Sequence, residues 1–472
     1  MNDSLKSKFV QIVGEKYAIR DLEDMAPYTK DWRGRYTTQA AMVLQPKNAE
    51  EISQIMKLAC ETKTAIIPQA GNTGLVGAGI GLEGGNGEEI ILSVSRLNSI
   101  LEVDADSNTM TVEAGAVLET LQNAADDVDR LFPLSLGSQG TCQIGGNIGS
   151  NAGGTGVLAY GNTRQLVMGL EVVLPTGEIW NGLSRLRKDN TGYDLKNLMI
   201  GAEGTLGVIT KAVVKLFPKP KGREVAFIAV NSTQAALDLL NLAKGSVGNG
   251  LTAFEFMAEI GMAFTLRHSQ NGTRAPIEGN YPWYILMEIS SGRSTDDART
   301  SMEGILEAAF EAGIVQNATI AESLSQQNAF WQLREDMSDA QKPEGASIKH
   351  DIAVPVGSLP KFIAEADTEV LKIVPDARIV NFGHMGDGNL HYNISQPVGW
   401  DREKFFAFEP VINNAVYDLI AKYHGSISAE HGIGQMKREK LAKIKDPTAL
   451  FMMRKIKTAL DPEGIMNPGK VL

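Results

Sequence analysis

Two short segments in the carboxyl-terminal part of the sequence concentrate residue types that bind metals and move protons. His384 and His391 flank a Gly-Asp-Gly turn in HMGDGNLH, and Glu430 and His431 are adjacent in SAEHGIG. If the first segment is a β-hairpin, its two imidazoles lie on neighbouring strands, and Glu430 supplies a third, anionic ligand. Two histidines and a carboxylate leave coordination positions open, which is typical of a catalytic divalent metal; zinc is favoured, with manganese and iron left open. A hydrogen-bonded pair of histidines is the alternative.

A second group of side chains is suited to binding a carboxylate. The segment WQLREDMSDA is predicted to be helical, so Arg334 and Ser338 share one face, and Lys349 lies on the following predicted strand. A guanidinium can clamp a carboxylate through two hydrogen bonds, and an ammonium group adds a second positive charge. A surface ion pair with Glu335 or Asp351 explains these cations equally well.

Glycine-rich segments in the amino-terminal half can bring the backbone close to a large ligand. PQAGNTG, PLSLGSQGTCQIGGNIGSNAGG and GAEGTLGVIT place Gly, Asn, Ser and Thr where backbone N–H groups can face an anion. Any one of these is as readily a tight turn, but three in one half of the chain favour a pyrophosphate joined to two ring systems. The loop Gly71–Gly81 is not a Rossmann fingerprint, because a strand pattern follows it where a helix should begin.

Composition disfavours several other classes of protein. The 472 residues carry 45 basic and 56 acidic side chains, a net charge of −11, which argues against nucleic acid and anionic membranes as partners. Cys60 and Cys142 lack C-x-x-C spacing, so a reducing, cytoplasmic location is expected. The first residues predict an amphipathic helix rather than a signal peptide. The uncharged stretch from Leu131 to Thr163 is too polar and glycine-rich to span a membrane and is predicted to be loop.

The order of predicted elements divides the chain into three parts. Residues 1–218 contain a helical stripe and several hairpin patterns, which predict an α+β domain with antiparallel pairs. The polar segment KPKGR is the predicted boundary. Residues 224–425 begin with β-α-β-β-α-β, the ferredoxin-like order, and continue with further strands, which predicts one large sheet covered by helices. Residues 426–472 are glycine-rich and then helical, and are expected to pack on the first domain.

These segments resemble the FAD-linked D-2-hydroxy acid dehydrogenases of the vanillyl-alcohol-oxidase fold, most closely the D-2-hydroxyglutarate dehydrogenases. The resemblance covers nearly the whole chain and is strongest in PxxGNTG, GGNIGSNAGG, RKDNTGYDLKNLMIGAEGTLGVIT, GHMGDGNLH, SAEHGIGQMKR and LDPEGIMNPGK. It implies an α+β protein with a PCMH-type two-part FAD-binding domain and a ferredoxin-like cap domain. It also implies non-covalent FAD held by Pro68, Gly71, Asn72, Thr73, Gly74, Leu75, Gly137, Ser138, Gly145, Gly146, Asn147, Ser150, Asn151, Gly153, Gly154, Gly161, Glu203, Gly204, Gly207, Ile209 and Asn467.

The resemblance further implies roles at the reacting end of the substrate. His384, His391 and Glu430 would bind zinc, and the two histidines would also contact substrate. His431 would be the catalytic base, because it directly follows a metal ligand. Asn393 would add a hydrogen bond to the substrate.

At the other end, Arg334, Ser338 and Lys349 match the positions that hold a distal carboxylate in the hydroxyglutarate enzymes, with Ser338 in place of the more usual threonine. The implied reaction is metal-dependent oxidation of D-2-hydroxyglutarate to 2-oxoglutarate, with hydride transfer to FAD. An electron-transfer flavoprotein or another external acceptor would take the electrons, and the family allows a homodimer. D-lactate and D-malate dehydrogenases remain alternatives. A reductase of cell-wall precursors and a non-enzymatic flavin or metal-binding module are alternatives from other classes.

Overall fold

The computed structural model describes residues 1–269 and 273–472, which divide into two compact units. The first unit comprises Met1–Gly154, Gly161–Lys219 and His431–Leu472, and the second comprises Thr155–Tyr160 and Pro220–Glu430. Two short segments depart from the predicted ranges. Residues 155–160 leave the first unit for the second, and residues 426–430 belong to the second unit rather than to the tail.

Helices and strands follow one another along both units. The helices are α1 (Asp3–Val13), α2 (Leu22–Thr29), α3 (Ala49–Thr62), α4 (Leu118–Asp126), α5 (Ile144–Ser150), α6 (Val157–Tyr160), α7 (Thr163–Leu166), α8 (Lys196–Met199), α9 (Thr233–Val247), α10 (Glu259–His268), α11 (Thr295–Glu311), α12 (Leu324–Ala340), α13 (Leu359–Ile373), α14 (Arg402–Phe406), α15 (Glu409–Lys422), α16 (Arg438–Ile444) and α17 (Pro447–Leu460). The strands are β1 (Ala18–Ile19), β2 (Met42–Leu44), β3 (Ile66–Gln69), β4 (Ile90–Ser93), β5 (Ile100–Asp104), β6 (Thr109–Glu113), β7 (Arg130–Leu131), β8 (Val167–Val173), β9 (Ile179–Gly182), β10 (Val208–Lys215), β11 (Phe217–Pro218), β12 (Gly222–Val230), β13 (Leu251–Ala258), β14 (Trp283–Ser291), β15 (Val315–Ile320), β16 (Ser347–Ala353), β17 (Arg378–His384) and β18 (Asn389–Ser395).

Two larger sheets organise the first unit. One has the order β1-β2-β4-β3 and the other β5-β6-β10-β8-β9. Strands β5 and β6 form an antiparallel pair, as do β8 and β9, which confirms the hairpin patterns predicted within residues 1–218. The parallel pairing of β4 with β2 and β3 was not predicted, and it follows from the crossover that α3 makes between β2 and β3. Helix α3 begins after an N-cap residue, since Asn48 Oδ1 accepts a hydrogen bond from the Glu51 N–H at 2.9 Å.

The glycine-rich stretch predicted to be loop contains helices instead. Helices α5 and α6 lie between Leu131 and Thr163, so the loop prediction is wrong there, and α7 begins at the last residue of this stretch. The physical reason is close packing: a Cβ atom at Gly145 would lie 2.9 Å from the Ala114 carbonyl oxygen. Glycine is therefore required in α5 for proximity to the neighbouring backbone, although it lowers the helix propensity from which the prediction was made.

The second unit is built on one antiparallel sheet with the order β15-β12-β14-β13-β17-β18-β16. Strands β12 to β15 reproduce the predicted ferredoxin-like arrangement, and β16 to β18 extend it, so the prediction of one large sheet is confirmed. Cross-strand pairs place Glu255 opposite His384 and Phe382 opposite His391. These side chains share the face that packs its apolar residues against buried side chains of α10 and α12.

A half-buried acid, Asp367 of α13, lies at the opposite face of this sheet. Its Oδ1 accepts a hydrogen bond from the Tyr392 hydroxyl at 2.8 Å. Burial raises the pKa of Asp367 from 3.8 to about 6, although hydrogen bonds from Tyr392 and Asn381 lower it in part. The folded protein therefore holds this proton more tightly than the unfolded chain, and ionisation of Asp367 costs stability as the pH rises through this window.

We expect Asp367→Asn to raise the free energy of unfolding at neutral pH by about 1–3 kcal/mol, because the amide keeps an acceptor for Tyr392 without a buried charge. Below about pH 4 the variant and the wild type should unfold alike, since the acid is then neutral in both states. Denaturant unfolding at both pH values measures the difference. Asp376→Asn, at an exposed aspartate beyond the end of α13, is the matched control and should show no gain. A gain of the same size at both pH values would contradict this account.

Candidate active site

A β-hairpin positions the two histidines that the sequence singles out. Strand β17 ends at His384, β18 begins at Asn389, and a tight turn joins them. Asp387 shapes that turn by accepting a hydrogen bond from the Asn389 N–H at 3.0 Å. Gly388 has a φ of 87°, and a Cβ atom there would lie 2.2 Å from the Val354 carbonyl oxygen. The turn therefore requires glycine at this position, and it fixes the spacing between the two imidazoles.

His384, His391 and Glu430 converge within the second unit. His384 Nε2 lies 3.9 Å from Glu430 Oε1, and His391 Nε2 lies 3.8 Å from Glu430 Oε2. One ligand atom from each residue lies within 4.8 Å of the other two. Two imidazole nitrogens and a carboxylate at this spacing could hold a divalent cation and leave coordination positions for a substrate. His431 is the next residue along the chain and belongs to the first unit.

Asp351 of β16 fixes the position of Glu430. Its Oδ2 accepts a hydrogen bond from the Glu430 N–H at 3.1 Å, and its Oδ1 accepts one from Asn389 Nδ2 at 3.1 Å. Asp351 also lies directly opposite His391 in the β16–β18 pair. The sequence analysis considered Asp351 only as an ion-pair partner of the cations. Its actual role is to connect the backbone at Glu430 with the histidine hairpin, which sequence separation concealed.

A second acidic residue, Glu255 of β13, contacts both candidate groups and was missed by the sequence analysis. Its Oε1 accepts a hydrogen bond from His384 Nδ1 at 2.6 Å, and its Oε2 accepts one from Arg334 Nε at 2.8 Å and lies 2.8 Å from Arg334 Nη2. The side chain is 1% exposed. The available signal was the single charged residue in the mostly apolar strand LTAFEFM.

The charges of Glu255, His384 and Arg334 shift the pKa values of Glu255 and His384. Burial alone would raise the pKa of Glu255, but the positive charges of His384 and Arg334 lower it. Burial alone would lower the pKa of His384, but the Glu255 carboxylate, helped by Glu430, raises it to about 9. A cation bound at His384 Nε2 would compete with that proton.

The three residues assigned to the distal carboxylate lie on α12, which carries Arg334 and Ser338, and on β16, which carries Lys349. Arg334 is buried and is bound by Glu255, so a surface ion pair of Arg334 with Glu335 or Asp351 is wrong. Ser338 and Lys349 are exposed, and Lys349 Nζ lies 3.4 Å from the Ser338 carbonyl oxygen. Asn393 is opposite Lys349 in the β16–β18 pair, and its Nδ2 donates to Gln341 Oε1 at 3.1 Å. Lys349 and Asn393 therefore lie on the same face as His391.

All of the residues that the resemblance assigned to FAD lie in the first unit, where their loops pack backbone against backbone. The Glu203 N–H donates to the Gly149 carbonyl oxygen at 2.8 Å, which joins two of the glycine segments. Asn467 Nδ2 donates to the carbonyl oxygens of Ala78, at 3.0 Å, and Glu203, at 2.7 Å, which joins the tail to both other loops. Three separate segments and the tail thus form one group of loops.

Part of this group is open, as a bound ligand would require. A Cβ atom at Gly74, Gly137 or Gly149 would meet no atom within 4 Å. The backbone is therefore accessible there, and no side chain blocks an approaching pyrophosphate. This arrangement fits FAD held through backbone groups.

Glu203 also binds the segment that follows His431. Its Oε1 accepts a hydrogen bond from the Ile433 N–H and its Oε2 accepts one from the Gly434 N–H, each at 2.7 Å. Both carboxylate oxygens are therefore used by the protein backbone. Burial raises the pKa of Glu203, although these two hydrogen bonds lower it in part. The family resemblance assigned Glu203 to FAD, and this contact with the backbone of Ile433 and Gly434 was not predicted.

Comparisons with known proteins agree with this architecture. Residues 40–182 match the family described as "FAD binding domain", and residues 219–471 match "FAD linked oxidases, C-terminal domain". The chain is 38% identical over 466 residues to "D-2-hydroxyglutarate dehydrogenase, mitochondrial" of Arabidopsis thaliana, covering 99% of this chain and 81% of that protein. It is 36% identical over 453 residues to "D-2-hydroxyglutarate dehydrogenase" of Stutzerimonas stutzeri, covering 96% and 95%.

A solved structure supports the fold assignment. The crystal structure of p-cresol methylhydroxylase with substrate bound aligns with a TM-score of 0.77 at 16% identity, covering 99% of this chain and 96% of that one. At this identity the likeness concerns the fold alone, and it confirms the predicted PCMH-type α+β architecture.

The glycine loops, the two-part architecture and the family matches define an FAD-dependent oxidoreductase. More particularly, the chain belongs to the family of FAD-linked D-2-hydroxy acid dehydrogenases that includes the D-2-hydroxyglutarate dehydrogenases. Among the described residues, no helix is both long enough and apolar enough to cross a membrane. The plant relative is named as mitochondrial, and a cytoplasmic location for this chain stays a prediction.

Proposed function

We propose that this protein oxidises D-2-hydroxyglutarate to 2-oxoglutarate at a divalent metal held by His384, His391 and Glu430. The observation that carries the proposal is the convergence of these three side chains, with both histidine Nε2 atoms within 4 Å of the Glu430 carboxylate. Further support comes from relatives that are named D-2-hydroxyglutarate dehydrogenases and are similar to this protein over nearly its whole length. Zinc is the favoured ion, because two imidazoles and a carboxylate suit its ligand preferences.

Two groups of residues would bind the two ends of the substrate. The histidine and glutamate cluster is assigned to the end with the C1 carboxylate and C2 hydroxyl, and Asn393 is assigned a hydrogen bond to that end. Arg334, Ser338 and Lys349 are assigned to the distal carboxylate, where two cations offset the charge of a second carboxylate.

His431 is assigned the proton of the C2 hydroxyl. A divalent cation, when bound, would acidify this hydroxyl as a Lewis acid. FAD, when bound, supplies the acceptor for the hydride from C2, so both electrons leave with that hydride and the hydroxy acid becomes an oxo acid. An electron-transfer flavoprotein or another external acceptor is proposed to reoxidise the flavin.

Anaerobic reduction of the bound flavin tests this proposal. We expect D-2-hydroxyglutarate to bleach the flavin absorbance faster than D-lactate, D-malate or L-2-hydroxyglutarate, and a strong chelator to abolish the reaction. Faster bleaching by D-lactate or D-malate would contradict D-2-hydroxyglutarate as the preferred substrate but would still support a D-2-hydroxy acid dehydrogenase. Reduction by NADPH alone would favour a reductase, and a flavin that no hydroxy acid bleaches would indicate a binding module.

Lys349→Met is expected to lower kcat/KM for D-2-hydroxyglutarate by about 10- to 100-fold, because it removes a charged hydrogen bond to the distal carboxylate. The value for D-lactate, which has no second carboxylate, should change by less than about threefold. Steady-state kinetics with both substrates measure the two ratios. Lys342→Met, at an exposed lysine two residues after the end of α12, is the control. Equal losses for both substrates would contradict the assignment of Lys349.

A further inference from the structure

A single buried glutamate connects the candidate metal site with the candidate distal-carboxylate site. We propose that Glu255 is a positioning residue that sets both His384 for metal binding and Arg334 for recognition of a diacid. The inference rests on the proposed function, because it assigns a specificity role within that same site. All three residues lie in the second unit, and the sheet register places Glu255 directly opposite His384.

The contact with His384 selects which ring nitrogen can bind a metal. Glu255 Oε1 lies 2.6 Å from His384 Nδ1, and a carboxylate can only accept a hydrogen bond. The proton of a neutral imidazole must therefore be on Nδ1, which leaves the lone pair of Nε2 directed toward Glu430 and His391. A carboxylate behind a ligating histidine is a recurrent arrangement that orients the ring and increases its basicity.

The contact with Arg334 fixes the direction in which the guanidinium can donate. Nε donates to Glu255 Oε2 at 2.8 Å and Nη2 lies 2.8 Å from the same oxygen, so the edge with Nε and Nη2 is occupied. One face lies over the Phe382 ring, with Cζ 4.8 Å from the ring centroid. Among the described residues, Arg334 Nη1 donates no hydrogen bond. The edge with Nη1 is thus the one left for an incoming carboxylate.

Fold stability alone does not explain an ionised glutamate at this position. The neighbours of Glu255 on the same face of β13, Ala253 and Met257, are buried and apolar. Burying a charged pair costs desolvation energy that well-packed apolar residues would avoid. What the glutamate adds is one rigid connection between a histidine and an arginine that are 50 residues apart in sequence and belong to the two ends of the proposed substrate site.

Glu255→Gln tests the connection, because an amide has one acceptor oxygen and cannot serve both partners. If the amide NH2 group faces His384, it favours the tautomer with the proton on Nε2; if it faces Arg334, two donors oppose each other. We expect the dissociation constant for zinc, titrated against a competing chelating dye, to rise about 10- to 100-fold. At saturating zinc, the ratio of kcat/KM for D-2-hydroxyglutarate over D-lactate should fall about tenfold or more.

Two further variants separate positioning from stability. Glu288→Gln removes a half-buried glutamate on the adjacent strand β14, whose partners are Trp331, Thr252 and Arg223, and should leave both quantities unchanged. Glu255→Gln combined with Arg334→Met removes both members of the buried ion pair, so it should recover thermal stability relative to Glu255→Gln alone. It should recover neither zinc affinity nor the preference for the diacid. If the single variant does not fold, the zinc affinity of this double variant carries the test, because Arg334→Met by itself removes a cation assigned to the diacid.

The outcomes discriminate between the two proposals. If the wild type neither binds zinc nor is reduced by D-2-hydroxyglutarate, the proposed function fails. If the wild type does both, and Glu255→Gln keeps both its zinc affinity and its substrate ratio within twofold, only the role of Glu255 is overturned. Loss of one property with full retention of the other also overturns the connection, since it would leave Glu255 with a single partner.

Discussion

Glu430→Gln is expected to lower kcat/KM for D-2-hydroxyglutarate by about 10³-fold or more, because loss of a bound cation removes several kcal/mol of stabilisation from the transition state. The amide keeps the size of the side chain and the backbone hydrogen bond from the Glu430 N–H to Asp351. The amide oxygen of glutamine is a weaker metal ligand than a carboxylate. The substitution therefore removes the only negative charge among the three candidate ligands, His384, His391 and Glu430. Stopped-flow reduction of the flavin and the zinc content of the purified protein measure the two expected losses.

The flavin itself should remain bound in Glu430→Gln, since all residues assigned to FAD belong to the first unit. Glu439→Gln, which alters an exposed glutamate of α16, is the matched control and should behave like the wild type. Activity within tenfold of the wild type, with zinc absent from the variant, would show that this reaction needs no metal at Glu430.

His431→Asn should slow flavin reduction by D-2-hydroxyglutarate by about 10²- to 10⁴-fold, the usual contribution of a general base. Unlike Glu430→Gln, it should retain the zinc content of the wild type, because His431 is assigned to the proton and not to the metal. The combination of lost rate and retained zinc distinguishes a base from a ligand. Rapid anaerobic mixing and metal analysis of the same preparation give both values.

His424→Asn is a suitable control for His431→Asn. His424 is exposed, and its φ of 55° is a conformation that asparagine adopts readily. This control should therefore fold and react normally. If His431→Asn loses zinc together with activity, His431 acts on the metal site, and the assignment of the base would be wrong.

The sequence predicted those parts of the architecture that depend on local patterns. Alternation and turn residues gave the ferredoxin-like strands β12 to β15 and the hairpin between His384 and His391. The helical stretch around Arg334 and the strand around Lys349 were also predicted correctly. In each case the signal lies within a few consecutive residues, where spacing alone determines which side chains share a face.

What the sequence did not predict depends on contacts between distant segments. Glu255 was missed because its partners, His384 and Arg334, are brought to it by strand pairing and by the packing of α12. The contact of Asp351 with the backbone of Glu430 was not predicted for the same reason. Helix α5 was mistaken for loop because a glycine in a helix normally signals low propensity, whereas here it signals a close neighbour.

The segment Thr155–Tyr160 belongs to the second unit although it lies within the sequence of the first, and this limits where the chain can be cut into separate fragments. A Cβ atom at Gly386, in the turn between the histidines, would lie 2.7 Å from Leu158 Cδ2, so this segment packs directly against that turn. A recombinant fragment that starts at residue 220 would lack this packing partner. Chimeras that exchange substrate specificity between relatives therefore have to transfer two segments of the chain together, Thr155–Tyr160 and the part after residue 219. With a single crossover near residue 219, the hairpin from one protein would pack against the six residues from the other.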